Sequence, residues 1–177
     1  MRQYVVPRIL VVLATGACAS SAAVNQERDP VLVMIGNGSM VRYAKDVRVM
    51  TADLSGSPAS HWRQLNAAFG ALGLPITQRD SVEHVLASRE TALNGRFGDA
   101  SLSRVLDCGR TTMGAQRADA YRVWLSVASQ LQESGNGTTL RTTVVARAMD
   151  PSSSTAPIQC GSTGVLEEEL AKQLGAP

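Results

Sequence analysis

Few side chains in this sequence are of the types that carry catalysis or hold metals. They are His61 and His84, the cysteines Cys18, Cys108 and Cys160, and acidic residues among which Asp99, Asp107 and Glu167-Glu168-Glu169 stand out. A histidine can act as general base toward a serine, but no G-x-S-x-G elbow or H-E-x-x-H pair frames either one. Both are expected to be exposed or hydrogen-bonded structural side chains. Asp99 and Asp107 have no spacing that would make them an acid/base pair. The absence of a C-x-x-C motif argues against thiol–disulfide exchange chemistry, and two body cysteines with no histidine nearby in sequence leave a tetrahedral zinc shell incomplete. Gly36-Asn37-Gly38-Ser39 superficially suits a phosphate loop, but no lysine and helix follow it, and a hairpin turn accounts for it better. The sequence thus assigns no catalytic residue, no cofactor and no metal ligand.

The N-terminus carries an address. Arg2 and Arg8 form a basic region and residues 9–14 an apolar run, too short for a spanning helix of roughly 20 residues. Thr15-Gly16-Ala17-Cys18 resembles a bacterial lipobox, with Thr15 where leucine is usual. That resemblance implies cleavage after residue 17 and acylation of Cys18, including a palmitate-type chain. Ordinary secretion, with cleavage after Ala19 or Ala23, is the alternative, and a retained N-terminal anchor is a third. Three fatty chains exceed the two-signal threshold for stable anchoring. Ala19 after the cysteine implies, by similarity to Gram-negative sorting, the periplasmic leaflet of the outer membrane. Lipid on Cys18 would leave Cys108 and Cys160 as a pair in an oxidising compartment. The expected organisation is a signal peptide at 1–17, an acylated N-terminus and tether at 18–29, and one domain at 30–177.

Composition fits one such domain. The chain has 177 residues, 44% hydrophobic and 18% charged, and loss of Arg2 and Arg8 leaves 15 basic against 15 acidic residues. A neutral body has no bulk electrostatic reason to bind nucleic acid, and Arg122, Arg141 and Arg147 are expected to be scattered solubilising residues.

The elements that would position these residues follow from periodicity. Residues 31–35 and 39–43 flank Asn37-Gly38, a strong hairpin signal, and a third short antiparallel strand is expected within 45–54. Ser57 and Pro58 cap a helix on which Trp62, Leu65, Phe69 and Leu72 recur at helical spacing, ended by Gly70 and Gly73. Trp62 and Phe69 are expected as core anchors. Residues 74–77 and 82–93 suggest a second hairpin, 94–98 a loop, and Leu102, Val105 and Leu106 a short helical turn. Residues 119–131 and 138–149 alternate as two long strands, with Tyr121, Val123, Leu125, Val127 and Leu131 opposite Arg122 and Trp124 on the first. A Pro/Ser-rich loop at 150–157 precedes a final helix, capped by Ser162 or Thr163, with Leu166, Leu170 and Leu174 as its stripe. Its three glutamates complement the helix dipole on a solvated face. The expected fold is α+β: an antiparallel sheet with two main helices on one face. Because Cys108 precedes one long strand and Cys160 follows the other, both emerge at the open end of the hairpin, where a structural disulfide would contribute about 2–4 kcal/mol.

Leu106-Asp107-Cys108-Gly109, the 121–127 strand, Gly137-Thr138-Thr139-Leu140 and the run from Gln159 to Glu167 resemble a family of bacterial envelope lipoproteins. Trp62 and Leu72-Gly73-Leu74-Pro75 extend that resemblance over residues 57–174. Members are loosely similar in topology to the lipoprotein subunit of the outer-membrane barrel-assembly machine. The resemblance implies no catalytic residue and no interface. The function expected is therefore a non-enzymatic envelope lipoprotein that binds another envelope protein or helps organise the outer membrane, attached to the membrane through its lipid. A binder of a small molecule or lipid, using a groove lined by Leu72, Leu74, Val123 and Leu125, is the alternative, and an enzyme with a motif-free site assembled in space is a third.

Overall fold

The computed structural model describes residues 47–135 and 137–176, together with the paired strands β1 (Leu32–Ile35) and β2 (Ser39–Arg42). Cys18, the 1–17 leader, the 18–29 tether and the Asn37-Gly38 turn lie outside the described residues. β1 and β2 pair antiparallel, as the flanks of that turn require.

The remaining elements are β3 (Val49–Ser55), α1 (Pro58–Ala71), β4 (Gln78–Asp80), β5 (Val85–Asn94), β6 (Arg96–Phe97), β7 (Ala100–Ser101), α2 (Leu102–Val105), β8 (Leu106–Asp107), α3 (Arg117–Ala120), β9 (Arg122–Ser134), β10 (Gly137–Met149), β11 (Ile158–Ser162) and α4 (Val165–Gln173). Seven strands make one antiparallel sheet in the order β4-β5-β9-β10-β11-β8, and β3 shares with β11 the second edge of β10. The third strand is thus antiparallel, as expected, but its partner is β10 rather than the N-terminal hairpin.

Strict alternation makes the β9–β10 ribbon the centre of the sheet. Val123, Leu125, Val127 and Leu131 are buried, as are Leu140, Val144, Ala146 and Ala148 facing them, in one core cluster with Leu65 and Phe69 of α1 and Leu166 and Leu170 of α4. Each buried leucine side chain contributes about 1.5–3 kcal/mol. Polar side chains also face inward where they satisfy one another: the hydroxyls of Ser129 and Thr142 lie 3.0 Å apart, and Thr138 donates to the Gly56 carbonyl. On the opposite side Ala87, Ala128, Thr143 and Val49 form one row across four strands. Ala87, Thr143 and Val49 in that row are buried, so this face meets solvent chiefly toward its ends.

α1 starts as its sequence dictates, with Ser57 accepting from the Ser60 N–H and Pro58 in the first turn. It runs through Gly70 and stops at Gly73 (φ +67°), where the Leu74 N–H reaches back to the Phe69 carbonyl in a left-handed cap. The second hairpin is present, but its first strand is β4 at 78–80 rather than 74–77. The expected 94–98 loop includes β6, which pairs with β7.

Three expectations for the C-terminal segment change. Residues 158–162 form a strand, because Gln159 and Cys160 extend the sheet beside Arg147 and Ala146 before the chain turns. α4 is capped by Gly164 at φ +92° with no side-chain cap, since Ser162 is still paired with Leu106 in the sheet, its hydroxyl bonded to Gly164 N–H and Glu167, and the Thr163 hydroxyl donates to the Arg104 carbonyl of α2. Of the three glutamates, Glu168 and Glu169 are exposed, but Glu167 is 3% exposed. Its position one residue after Leu166 rotates it onto the flank of the buried stripe.

The disulfide Cys108–Cys160 is formed, closing a sequence separation of 52 with Cα atoms 4.2 Å apart. The register Gly161↔Asp107 and Ser162↔Leu106 places the two cysteines directly opposite one another, just past the end of β8. Both are buried.

Candidate functional site

His61, His84, Asp99 and Asp107 each meet neighbouring groups of the fold. His61 is nearly buried, its Nδ1 2.9 Å from Gln64 Oε1 and its Nε2 2.8 Å from the Ser55 carbonyl, so both ring nitrogens are occupied. His84 sits in the turn before β5 at φ +50°, its ring edge-on to Trp62 at 5.6 Å. Asp107 accepts from the Gly109 N–H at 2.9 Å, and the Asp99 carbonyl accepts from Arg96. Among the described residues no three His, Cys, Asp or Glu side chains gather as a metal site. The residues proposed to line a groove serve the core: Leu74, Val123 and Leu125 are buried and Leu72 packs against them.

The functional candidate lies on the outward face of β9 and β10. Trp124 and Arg147 are register partners, and the Arg147 guanidinium lies 5.0 Å from the Trp124 ring centroid. Arg147 Nη2 is also 3.0 Å from Glu90 Oε1 of β5. Glu90 is there because of a bulge. Ser88 pairs with Val127 and Thr91 with Leu125, so three steps of β5 match two of β9. The extra residue puts Glu90 at φ +46°, with its N–H donating to Ser126 Oγ at 3.0 Å. A left-handed conformation at a residue other than glycine costs about 1–2 kcal/mol. The gain is of similar size: the side chains of Arg147 and Glu90 are 47% and 64% exposed, so their ion pair contributes about 0.2–1 kcal/mol. The stacked cation adds about 0.5–1 kcal/mol. A strained residue that presents a charge beside a half-buried tryptophan is a feature associated with recognition.

Beside this group, at the open end of the β9–β10 ribbon, an open cleft of about 360 Å³ is lined by Asn94, Gly95, Asp119, Tyr121, Arg122 and Pro151. Arg122 of the cleft lining alternates onto the same face of β9 as Trp124, two residues away. Next to it, the Ser152 hydroxyl and N–H, with a smaller contribution from Tyr121, hold the Asp150 carboxyl below the usual aspartate value. Chemically this surface offers a flat aromatic ring, planar cations and a few acceptors, without a nucleophile poised against a base. Alternation placed Trp124, Arg122 and Arg147 on the outer face. Glu90 had no sequence signal, because neither glycine nor asparagine marks the bulge.

No helix of the described residues is long and apolar enough to cross a membrane. No protein-family model matches the chain, and no curated protein shows significant similarity to it.

Proposed function

We propose that this protein is a non-enzymatic envelope lipoprotein whose folded body binds another envelope protein through the outward face around Trp124. The observation that carries the reading is the Trp124–Arg147–Glu90 group, since tryptophan and arginine are the residues most enriched where binding energy concentrates. The Cys108–Cys160 bond supports an oxidising compartment and leaves Cys18 as the remaining thiol, in a context suited to lipid attachment. On this reading residues 1–17 are removed, acylated Cys18 sits in the periplasmic leaflet of the outer membrane, and residues 18–29 let the domain clear the surface. The two main helices cover the face of the sheet opposite Trp124. Support for that arrangement is the shared core of Leu65, Phe69, Leu166 and Leu170 with the inward residues of β9 and β10.

The test is crosslinking from native membranes with the mature lipidated protein, alongside Trp124→Ala and Arg147→Ala. One envelope protein should be captured by the wild type and lost with either variant. Capture indifferent to both substitutions removes the assigned face. A second reading, binding of a small polar molecule, is favoured by the cleft at Tyr121 and Arg122. An Arg122→Ala effect on a bound metabolite, with no protein captured, would select it.

A further inference from the structure

Among the described residues, Glu167 is the carboxylate that the fold places in an environment hostile to charge. It lies in the first turn of α4 and is 3% exposed. Its Oε2 accepts a 2.8 Å hydrogen bond from the Ser162 hydroxyl, whose oxygen in turn accepts from the Gly164 N–H. Its Oε1 is buried with no protein partner. A void of about 40 Å³ adjoins it, walled chiefly by Met50 and Ala52 of β3, Leu140 and Thr142 of β10, and Ala171 of α4. A buried carboxyl group with one satisfied oxygen is tolerated when protonated and is costly when ionised.

We propose that Glu167 is a proton-operated latch on the terminal helix: protonated, it lets the first turn of α4 seat against β3 and β10, and ionised, it loosens that seam. The disulfide at Cys160 tethers the base of α4 in both states, so opening exposes Met50, Ala52 and Leu140 without releasing the helix. The charged surroundings of Glu167 are few. Arg48, just before β3, attracts the ionised form, and Glu168 repels it. Asp53 of β3 and Arg141 and Arg147 of β10 alternate onto the opposite face of the sheet from Ala52 and Leu140. β11 has no charged residue. α1 and α2, which also meet α4, carry His61, Arg63 and Arg104.

Burial, more than the repulsion from Glu168, holds the Glu167 carboxyl above the ordinary glutamate value, against the lowering effect of the Ser162 hydroxyl, its own backbone N–H and, less, Arg48. A group raised in the folded state stabilises most fully below its unfolded value, and that contribution is lost as pH rises through its folded value. Acid should therefore tighten α4, and rising pH should loosen it.

The experiment is amide hydrogen exchange on the mature, disulfide-bonded chain between pH 5 and 8, corrected for intrinsic exchange, with the carboxyl resonances of ¹³C-labelled glutamate titrated in parallel. Protection of α4 should fall as Glu167 ionises, while the β9–β10 amides keep theirs. Glu167→Gln should make α4 protection independent of pH. The proposal is overturned if the Glu167 carboxyl titrates in the ordinary range, if α4 and the β9–β10 ribbon lose protection together, or if Glu167→Gln keeps the wild-type pH dependence. Should that variant fail to fold, the wild-type titration and exchange decide alone.

Discussion

Removing the Cys108–Cys160 bond should have the largest effect of any single change at the edge of this sheet. The bond closes a sequence separation of 52. In the chain-entropy treatment a closed loop of that length loses enough unfolded-state freedom to stabilise the fold by about 4 kcal/mol. A domain of this size shifts its midpoint by about 2–4 °C per kcal/mol, so Cys108→Ser should lower Tm by about 8–16 °C. Cys160→Ser should match it, and the double variant should add little, because each removes the same bond. The site adds a spatial expectation. Cys160 lies in β11, five residues before α4 begins, and α4 has only nine residues, too few to be stable alone. Loss of the bond should therefore reduce exchange protection in β8, β11 and α4 well before the thirteen-residue strands β9 and β10 respond. Calorimetry of the oxidised protein and the three variants, with exchange mapped by mass spectrometry, measures both. Additive losses in the double variant, or a Tm change under about 2 °C, would refute the reasoning.

Three further outcomes are expected. Intact mass of the membrane-derived protein should show loss of residues 1–17 and acyl mass on Cys18; an unmodified N-terminus at Ser20 or Val24 would withdraw the lipid while keeping export. Glu90→Gly should leave stability within about 1 kcal/mol of wild type, because relief of the left-handed strain offsets the lost ion pair, while Glu90→Val should cost about 1–3 kcal/mol; equal denaturation midpoints for the two would show that Glu90 is unstrained. Gly137→Ala should destabilise by about 1–3 kcal/mol, since an added Cβ would lie 2.5 Å from the Leu54 carbonyl oxygen and backbone would have to move; an unchanged chemical-denaturation midpoint would contradict that close approach.

What could be read from the sequence was what a single periodicity determines. Val123, Leu125 and Val127 alternate against Trp124 and Ser126, so strand, inward face and outward tryptophan follow from one pattern. Ser57-Pro58 and the Leu65, Phe69 spacing specify α1 with equal economy. The cysteine pairing followed from where those two long strands begin and end. β11 was not legible, because five residues containing Gly161 and Cys160 have too few repeats to show alternation, and they become a strand only when β10 supplies the partner.

The two charges that matter most at the candidate sites were hidden for a related reason. Glu90 occupies the outward face because β5 carries one residue more than β9 between Ser88 and Thr91, a count that exists only once both strands are paired. In sequence Glu167 belongs with its neighbours to a dipole-complementing run, and Glu168 and Glu169 are solvated residues. What separates Glu167 from them is the angle at which α4 leaves Gly164, whose left-handed backbone turns the first helical turn toward β3 and Met50. Local composition sets the charge in both cases, and tertiary register decides whether it faces water, a cation or an apolar wall. The proposed latch and the candidate recognition face therefore both depend on backbone irregularities, a bulge and a left-handed cap, at the margins of otherwise regular elements.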